Sequence, residues 1–273
     1  MDVFNGIVNA MLRLFFGAFS WAGANAALLS LTMLSMLAGV GMLWVFRKTS
    51  DQAAIRAVKR KVHAYLLEMR VYADDPGATW RAQNSLIKAN LRYIGLALRP
   101  ALLMVVPVGV LLIHMEGFYG RAPLEPGRSV VVTAVLGGGA DGPAPQLVPP
   151  RGFQVSALPV RIPEQGEVSW RIVPERAASG ELHFQIGGQR FTKKIEAGGG
   201  QRFIAERRVR SVWEAFWHPD EPRLPAGKIE WVEVAYPAAS MAIFGMRINW
   251  LVWFVVVSML AALVFRKRFG VTL

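Results

Sequence analysis

Four polar residues stand inside or beside long apolar runs: Asn25, Arg99, Arg247 and Asn249. A charge within a bilayer is costly, so it either snorkels to the headgroups or faces a polar cavity. In the second case these four residues would line a client groove between membrane helices, easing the passage of hydrophilic segments partway through the bilayer. Pro100 and Pro107 would bend the helix that carries Arg99 and open such a groove. A second set, Lys59, Arg60, Lys61 and Met69, lies in a charged helical stretch. It reads either as a solvated, lipid-attracted face or as a cytoplasmic docking surface for a partner or a nascent chain.

Little else points to chemistry. The chain has no cysteine, which excludes disulfides and thiol catalysis. Its four histidines (His63, His114, His183, His218) have no metal-ligand spacing, and no metal site is expected. "GGGAD" at 137–141 lacks the Lys-Ser/Thr of a phosphate loop and reads as a loop. An enzyme is therefore a distant reading, and no cofactor is implied.

Composition turns attention to the membrane. Of 273 residues, 53% are hydrophobic and only 18% charged, against about 25% in soluble domains. No charge occurs from Leu14 to Phe46, more than the roughly 20 residues needed to cross a bilayer. The expected organisation is an interfacial amphipathic helix over 1–23, with Val3, Ile7, Met11, Leu14 and Phe15 on one stripe interrupted by Asn5, Asn9 and Arg13. A first span follows over 24–46, then a helical hairpin over 47–92 and a second span over 93–115. A β-domain occupies 116–240, a third span 241–265, and a tail 266–273.

The net charge of +12 is distributed unevenly. Segment 47–99 holds 11 basic and four acidic residues, whereas 116–240 holds 15 and 14. Short basic loops stay cytoplasmic, while long domains translocate largely regardless of charge. This places the N-terminus and the β-domain outside, the hairpin and C-terminus in the cytoplasm, and fits a bacterial inner membrane. Basic residues gathered beside the membrane also argue against direct nucleic-acid recognition.

In the hairpin, Ile55, Val58, Val62, Tyr65, Met69 and Tyr72 alternate spacings of three and four, a short coiled-coil seam. Asp74-Asp75-Pro76 stops that helix, with Asp75 as N-cap and Pro76 as first residue of the next. Trp80, Ile87, Leu91, Ile94 and Leu98 of the second helix are expected to face the first. Beyond the second span, strands are expected at 129–136, 153–162, 167–173, 181–186, 190–197, 202–207 and 228–236, with a tight hairpin at "QIGGQRF". Their number and spacing point to an all-β, sandwich-like domain. The aromatics of "SVWEAFWHPDEPRLP" (211–225) suit either an outer membrane interface or the sandwich core.

The order of elements, with "EMRVYADDPGATWRAQNSLIKANLRYIGLALRPALLMVVP" entering the second span and "RKR" closing the third, resembles the YidC/Oxa insertase superfamily. It is most similar to the minimal three-span branch of archaeal YidC-like proteins and the core subunit of the ER membrane protein complex. The resemblance covers 1–115 and 241–268. It implies a membrane insertase or chaperone whose partners are the bilayer, newly made membrane proteins and partner membrane subunits, with no nucleotide or metal. Two features depart from that pattern: the long outer β-domain, and a first span without the groove arginine of bacterial insertases. Two other readings stay open: an assembly subunit binding partners through the β-domain and hairpin, and a receptor with the sandwich as sensor.

Overall fold

A computed structural model describes residues 2–137, 145–186, 188–199, 203–243 and 245–271. The loop expected at 137–141 therefore lies almost wholly outside the described residues. The chain divides into two compact units, Met1–Leu31 with Leu111–Val252, and Thr32–Val110 with Trp253–Leu273.

The first unit opens with helix α1 (Asp2–Gly17), followed by a 3-10 segment, Ser20–Asn25, and the start of α2 (Ala26–Thr49). Its body is a β-sandwich. Strands β1 (Val130–Leu136), β5 (Glu167–Pro174) and β9 (Ile229–Val234) centre a six-stranded antiparallel sheet. On one side β3 (Phe153–Val155) and β4 (Val160–Ile162) both pair with β5, and on the other β8 (Arg207–Val209) pairs with β9. The second sheet has β2 (Gln146–Val148), β6 (Ala178–Ile186) and β7 (Gln189–Ala197).

Alternation decides which side chains fill the space between the sheets. Val132, Ala134, Val168, Trp170, Ile172, Val232 and Val234 come from one sheet, Leu182, Phe184, Phe191 and Ile195 from the other, and all are buried. The Trp170 and Phe184 rings meet edge to face at 5.5 Å, a geometry aromatic quadrupoles favour. Trp170 and Phe184 thus supply the centre of a core that has no cysteine bridge.

Three local expectations are corrected. The strand expected at 153–162 breaks into β3 and β4 because, after the Ser156 N–H bonds the Arg171 carbonyl at 2.8 Å, Ala157-Leu158-Pro159 leaves the ladder; Pro has no N–H to give it. The strand expected at 202–207 starts only at Arg207. The third apolar helix, α6, covers Trp250–Phe265 rather than 241–265. Residues Met241–Ile243 (β10) and Met246–Ile248 (β11) instead form a hairpin, turned through Gly245 at φ +79°, a conformation glycine adopts without steric cost.

The second unit is helical. It holds most of α2, then α3 (Gln52–Val71), α4 (Pro76–Tyr119) up to Val110, and α6 from Trp253. α3 and α4 are capped as their sequences require: Asp51 accepts from the Ala54 N–H at 2.9 Å, and Asp75 from the Gly77 and Ala78 N–H at 2.8 and 3.1 Å. α2 and α4 are long and apolar enough to cross a membrane, and α6 is a shorter apolar helix. α2 and α6 approach closely at a small-residue contact. A Cβ on Gly39 would collide with the Ser258 carbonyl oxygen, and Trp253 Nε1 donates to Thr32 Oγ1 at 2.9 Å.

Candidate functional site

The feature that distinguishes the helical unit is the exposed face of α4. Up to Val110 its buried positions are Ala82, Ala89 and Pro100, small or compact residues spaced seven and eleven apart. The apolar stripe Trp80, Ile87, Leu91, Ile94 and Leu98 is exposed, with Trp80 at 65% and Leu91 at 63%. This overturns the expectation that the stripe packs on α3. At 100° per residue the alanine row lies roughly opposite the stripe, and small side chains let helices pack closely, so the alanines took the inner face. On α3 the expected seam fares better: Ile55 and Val58 are buried and Val62, Tyr65 and Met69 half-buried, whereas Tyr72, just past the helix end, is exposed.

The stripe does not stop where the span begins. Leu102 and Val105 continue it, also exposed. From Trp80 to Val105 it runs about 38 Å along one helix at 1.5 Å per residue.

A second row accompanies it. α4 has four basic residues, Arg81, Lys88, Arg92 and Arg99, and no acidic residue before Glu116. All four are exposed, and spacings of seven, four and seven put them within about 40° of one another, roughly 100° round from the stripe. Sequence reasoning singled out Arg99 as a groove residue and missed that it is the last member of this row. A helical wheel of 76–105 would have revealed it.

The four residues expected to line an intramembrane groove are dispersed. Arg99 belongs to the second unit, while Asn25, Arg247 and Asn249 belong to the first. Asn25 ends the 3-10 segment and is exposed. Arg247 sits in β11 opposite Ala242, not in a membrane helix. Asn249 Oδ1 accepts from the Leu251 N–H at 2.8 Å and caps α6. Of the docking set, Lys59 and Arg60 join Ala53, Arg56 and His63 around an open concavity of about 690 Å³. Lys61 is rotated about 100° from Arg60, and half-buried Met69 belongs to the seam.

The first unit carries a buried charge cluster that the sequence did not announce. Lys193, fully buried, lies 2.8 Å from Glu221 Oε2 and donates to the Ala205 carbonyl at 2.5 Å. Glu221 also accepts from the Lys194 N–H at 2.9 Å. Beside them the Asp220 carboxyl is held without a hydrogen-bond partner for Oδ1. A Cβ on Gly117 would come within 2.6 Å of that oxygen, so Gly117 makes room for it. Burial pushes the Asp220 carboxyl up to about 7, with Lys193 opposing and Glu221, Glu116 and Glu206 reinforcing. Among the described residues no group of three or more His, Asp or Glu is placed to hold a metal.

Compared with known families, curated proteins and solved structures, the chain matches no family model, and neither a curated protein nor a solved structure is significantly similar to it.

Proposed function

We propose that this chain is a three-span membrane protein that receives hydrophobic client segments at a cytoplasmic hairpin and passes them into the bilayer, as its resemblance to the YidC/Oxa insertases implies. One observation carries the reading: the exposed apolar stripe that runs from the hairpin into the apolar part of α4, with Asn84 set into it between Trp80 and Ile87. α4 has 44 residues, about 66 Å of helix. A bilayer is about 30 Å thick in its hydrocarbon core and 40–45 Å with headgroups. Unless strongly tilted, the Trp80 end of the stripe stands in water, where lipid cannot cover it. A hydrophobic segment arriving there finds an apolar track toward the membrane, and partitioning supplies the drive.

In this reading the polar groove is not the main device, and the hairpin and α4 take its place. Arg99, with Arg81, Lys88 and Arg92, edges the track. The hairpin is cytoplasmic and the sandwich lies outside. α6, at 16 residues, spans about 24 Å, and Arg266, Lys267 and Arg268 reach the headgroups by snorkelling.

Photocrosslinking from Ile87, Leu98 and Leu102 to arrested nascent chains of increasing length tests this. Crosslinks that advance from Ile87 to Leu102 as the client lengthens support it. Crosslinks from Ile87 to one resident protein, whatever the client, would replace it with an assembly-subunit reading. That alternative has its own observation. The sandwich has an open, uncharged groove of about 780 Å³ floored by Trp170, with Leu158 88% exposed beside it.

A further inference from the structure

Helix α1 is docked inside out. Its polar residues face the protein. Asn5 Nδ2 donates to the Ala215 carbonyl at 3.1 Å and Asn9 Nδ2 to the Pro219 carbonyl at 2.9 Å. The two bonds step together, four residues along α1 and four along the chain segment that receives them. The Arg13 guanidinium lies 4.4 Å from the centre of the Phe203 ring, and Asp2 pairs with Arg223 at 3.0 Å. Asn5, Asn9 and Leu12 are buried, whereas Val3 and Leu14 are 77% exposed and Ile7 and Met11 lie open between them. An amphipathic helix in water turns its apolar side inward; this one presents it outward.

What covers the stripe follows from the chain itself. α1 ends at Gly17 and α2 begins at Ala26. Six of the eight intervening residues form the 3-10 segment, which advances only about 2 Å per residue. No charged residue separates Leu14 from Phe46. If α2 spans the bilayer, as proposed above, α1 is tied to its outer mouth by a tether of roughly 20 Å. The segment on which α1 is latched bears short helix α5 (Glu214–Trp217), with exposed indoles at its N-cap, Trp213, and at its last residue, Trp217, side chains that favour the membrane–water interface.

We infer that α1 is a two-faced anchor: its asparagine face latches the outer β-domain, and Val3, Ile7, Met11 and Leu14 insert into the outer leaflet of the phospholipid bilayer. The domain is then seated on the membrane instead of swinging from two connections. The inference rests on the membrane reading of α2 but not on insertase activity.

The absence of cysteine permits single-site spin labels. Full-length Met11→Cys and Leu37→Cys are labelled separately in phosphatidylcholine–phosphatidylglycerol vesicles. Accessibility to oxygen and to a water-soluble nickel chelate is then measured. Leu37, exposed on α2, reports whether that helix is in lipid at all. The expected result is lipid exposure at both sites, with Met11 about 5–10 Å below the headgroup boundary. If Leu37 is in lipid while Met11 meets the nickel chelate, or is shielded from both reagents by protein, the anchor is refuted and the membrane reading stands. If Leu37 also meets the chelate, both fail. Asn5→Ala/Asn9→Ala in a Met11→Cys or a Ser156→Cys background separates the two faces. Met11 stays in lipid, and a label at Ser156 on the sandwich gains mobility. Unchanged Ser156 mobility refutes the latch.

Discussion

Replacing Asp220 by Asn will make the first unit more stable, and more so as pH rises. Asp220 sits in the cluster with Lys193 and Glu221, its Oδ1 unpartnered, and its carboxyl is raised from 3.8 to about 7. Desolvation is the first cause; Glu221, Glu116 and Glu206 add repulsion, and the attraction of Lys193 only partly offsets them. The folded pKa lies above the unfolded one. The native contribution is therefore intact below about 4 and is lost as pH rises toward 7, where the unfolded chain is ionised and the folded one is not. At about 1.36 kcal/mol per unit, a shift of roughly three units amounts to about 4 kcal/mol above pH 7. Asparagine keeps the shape and removes the charge. For a unit of this size that corresponds to a rise of about 8–16 °C in Tm. Thermal unfolding of full-length protein in nanodiscs, followed by near-ultraviolet circular dichroism, should show the two proteins alike near pH 4 and diverging by pH 8. A constant offset, or a less stable variant at pH 8, would refute the assignment of Asp220 as a buried, uncompensated acid.

Lys193→Met should destabilise the same unit by about 3–5 kcal/mol, because Glu221 and the Ala205 carbonyl lose a buried partner; chemical denaturation measures it. His218 is held below its usual pKa by burial and by the nearby Arg207, so its neutral form favours the fold above about pH 6.5 and stability falls as pH drops. His218→Gln should flatten that acid limb in the same melts. Gly39→Leu should separate α2 from α6, since Ser258 leaves no room for a Cβ; loss of a disulfide between engineered Leu43→Cys and Ala261→Cys, one turn further along both helices, set against its formation with Gly39 intact, reports it. Leu91→Asp should leave the unfolding free energy within about 0.5 kcal/mol of native, being an exposed site, yet reduce client crosslinking from Ile87 about tenfold.

The strands with strict alternation, β1, β5 and β7, were legible because one face of each had to be buried. The Ile186–Gln189 hairpin pair was marked by its two glycines. Strand β2 was not, since three residues between Pro145 and Pro149 carry no period. The helix boundaries at Val71 and Pro76 followed from Asp75 and Pro76, whose capping chemistry is local. What escaped was tertiary choice. Nothing in the spacing of Trp80, Ile87 and Leu91 says that the alanines will take the inner face. Nothing near Asn5 indicates a carbonyl 210 residues away. Arg247 was read as a membrane charge because Met241–Ile248 is apolar enough for a span, and only the Gly245 turn betrays the hairpin.

α1 and α4 break the same rule in the same way: each packs its polar or small side inward and leaves an apolar stripe outside. In a water-soluble protein two such helices would be a liability, since large exposed apolar stripes drive association. The medium each stripe meets is decided by length. On the proposed arrangement α1, with 16 residues and a tether of eight, keeps its stripe at the level of the bilayer, where lipid covers it. α4 has 44 residues, and on the same arrangement its Trp80 end projects beyond the headgroups. There a permanent cover would have to be another protein, and a transient one would be a hydrophobic segment in transit. Permanent cover gives one crosslinked partner at Ile87, and transit gives many that move with client length. The two readings of the chain thus differ at a single helix face, between Trp80 and Leu98.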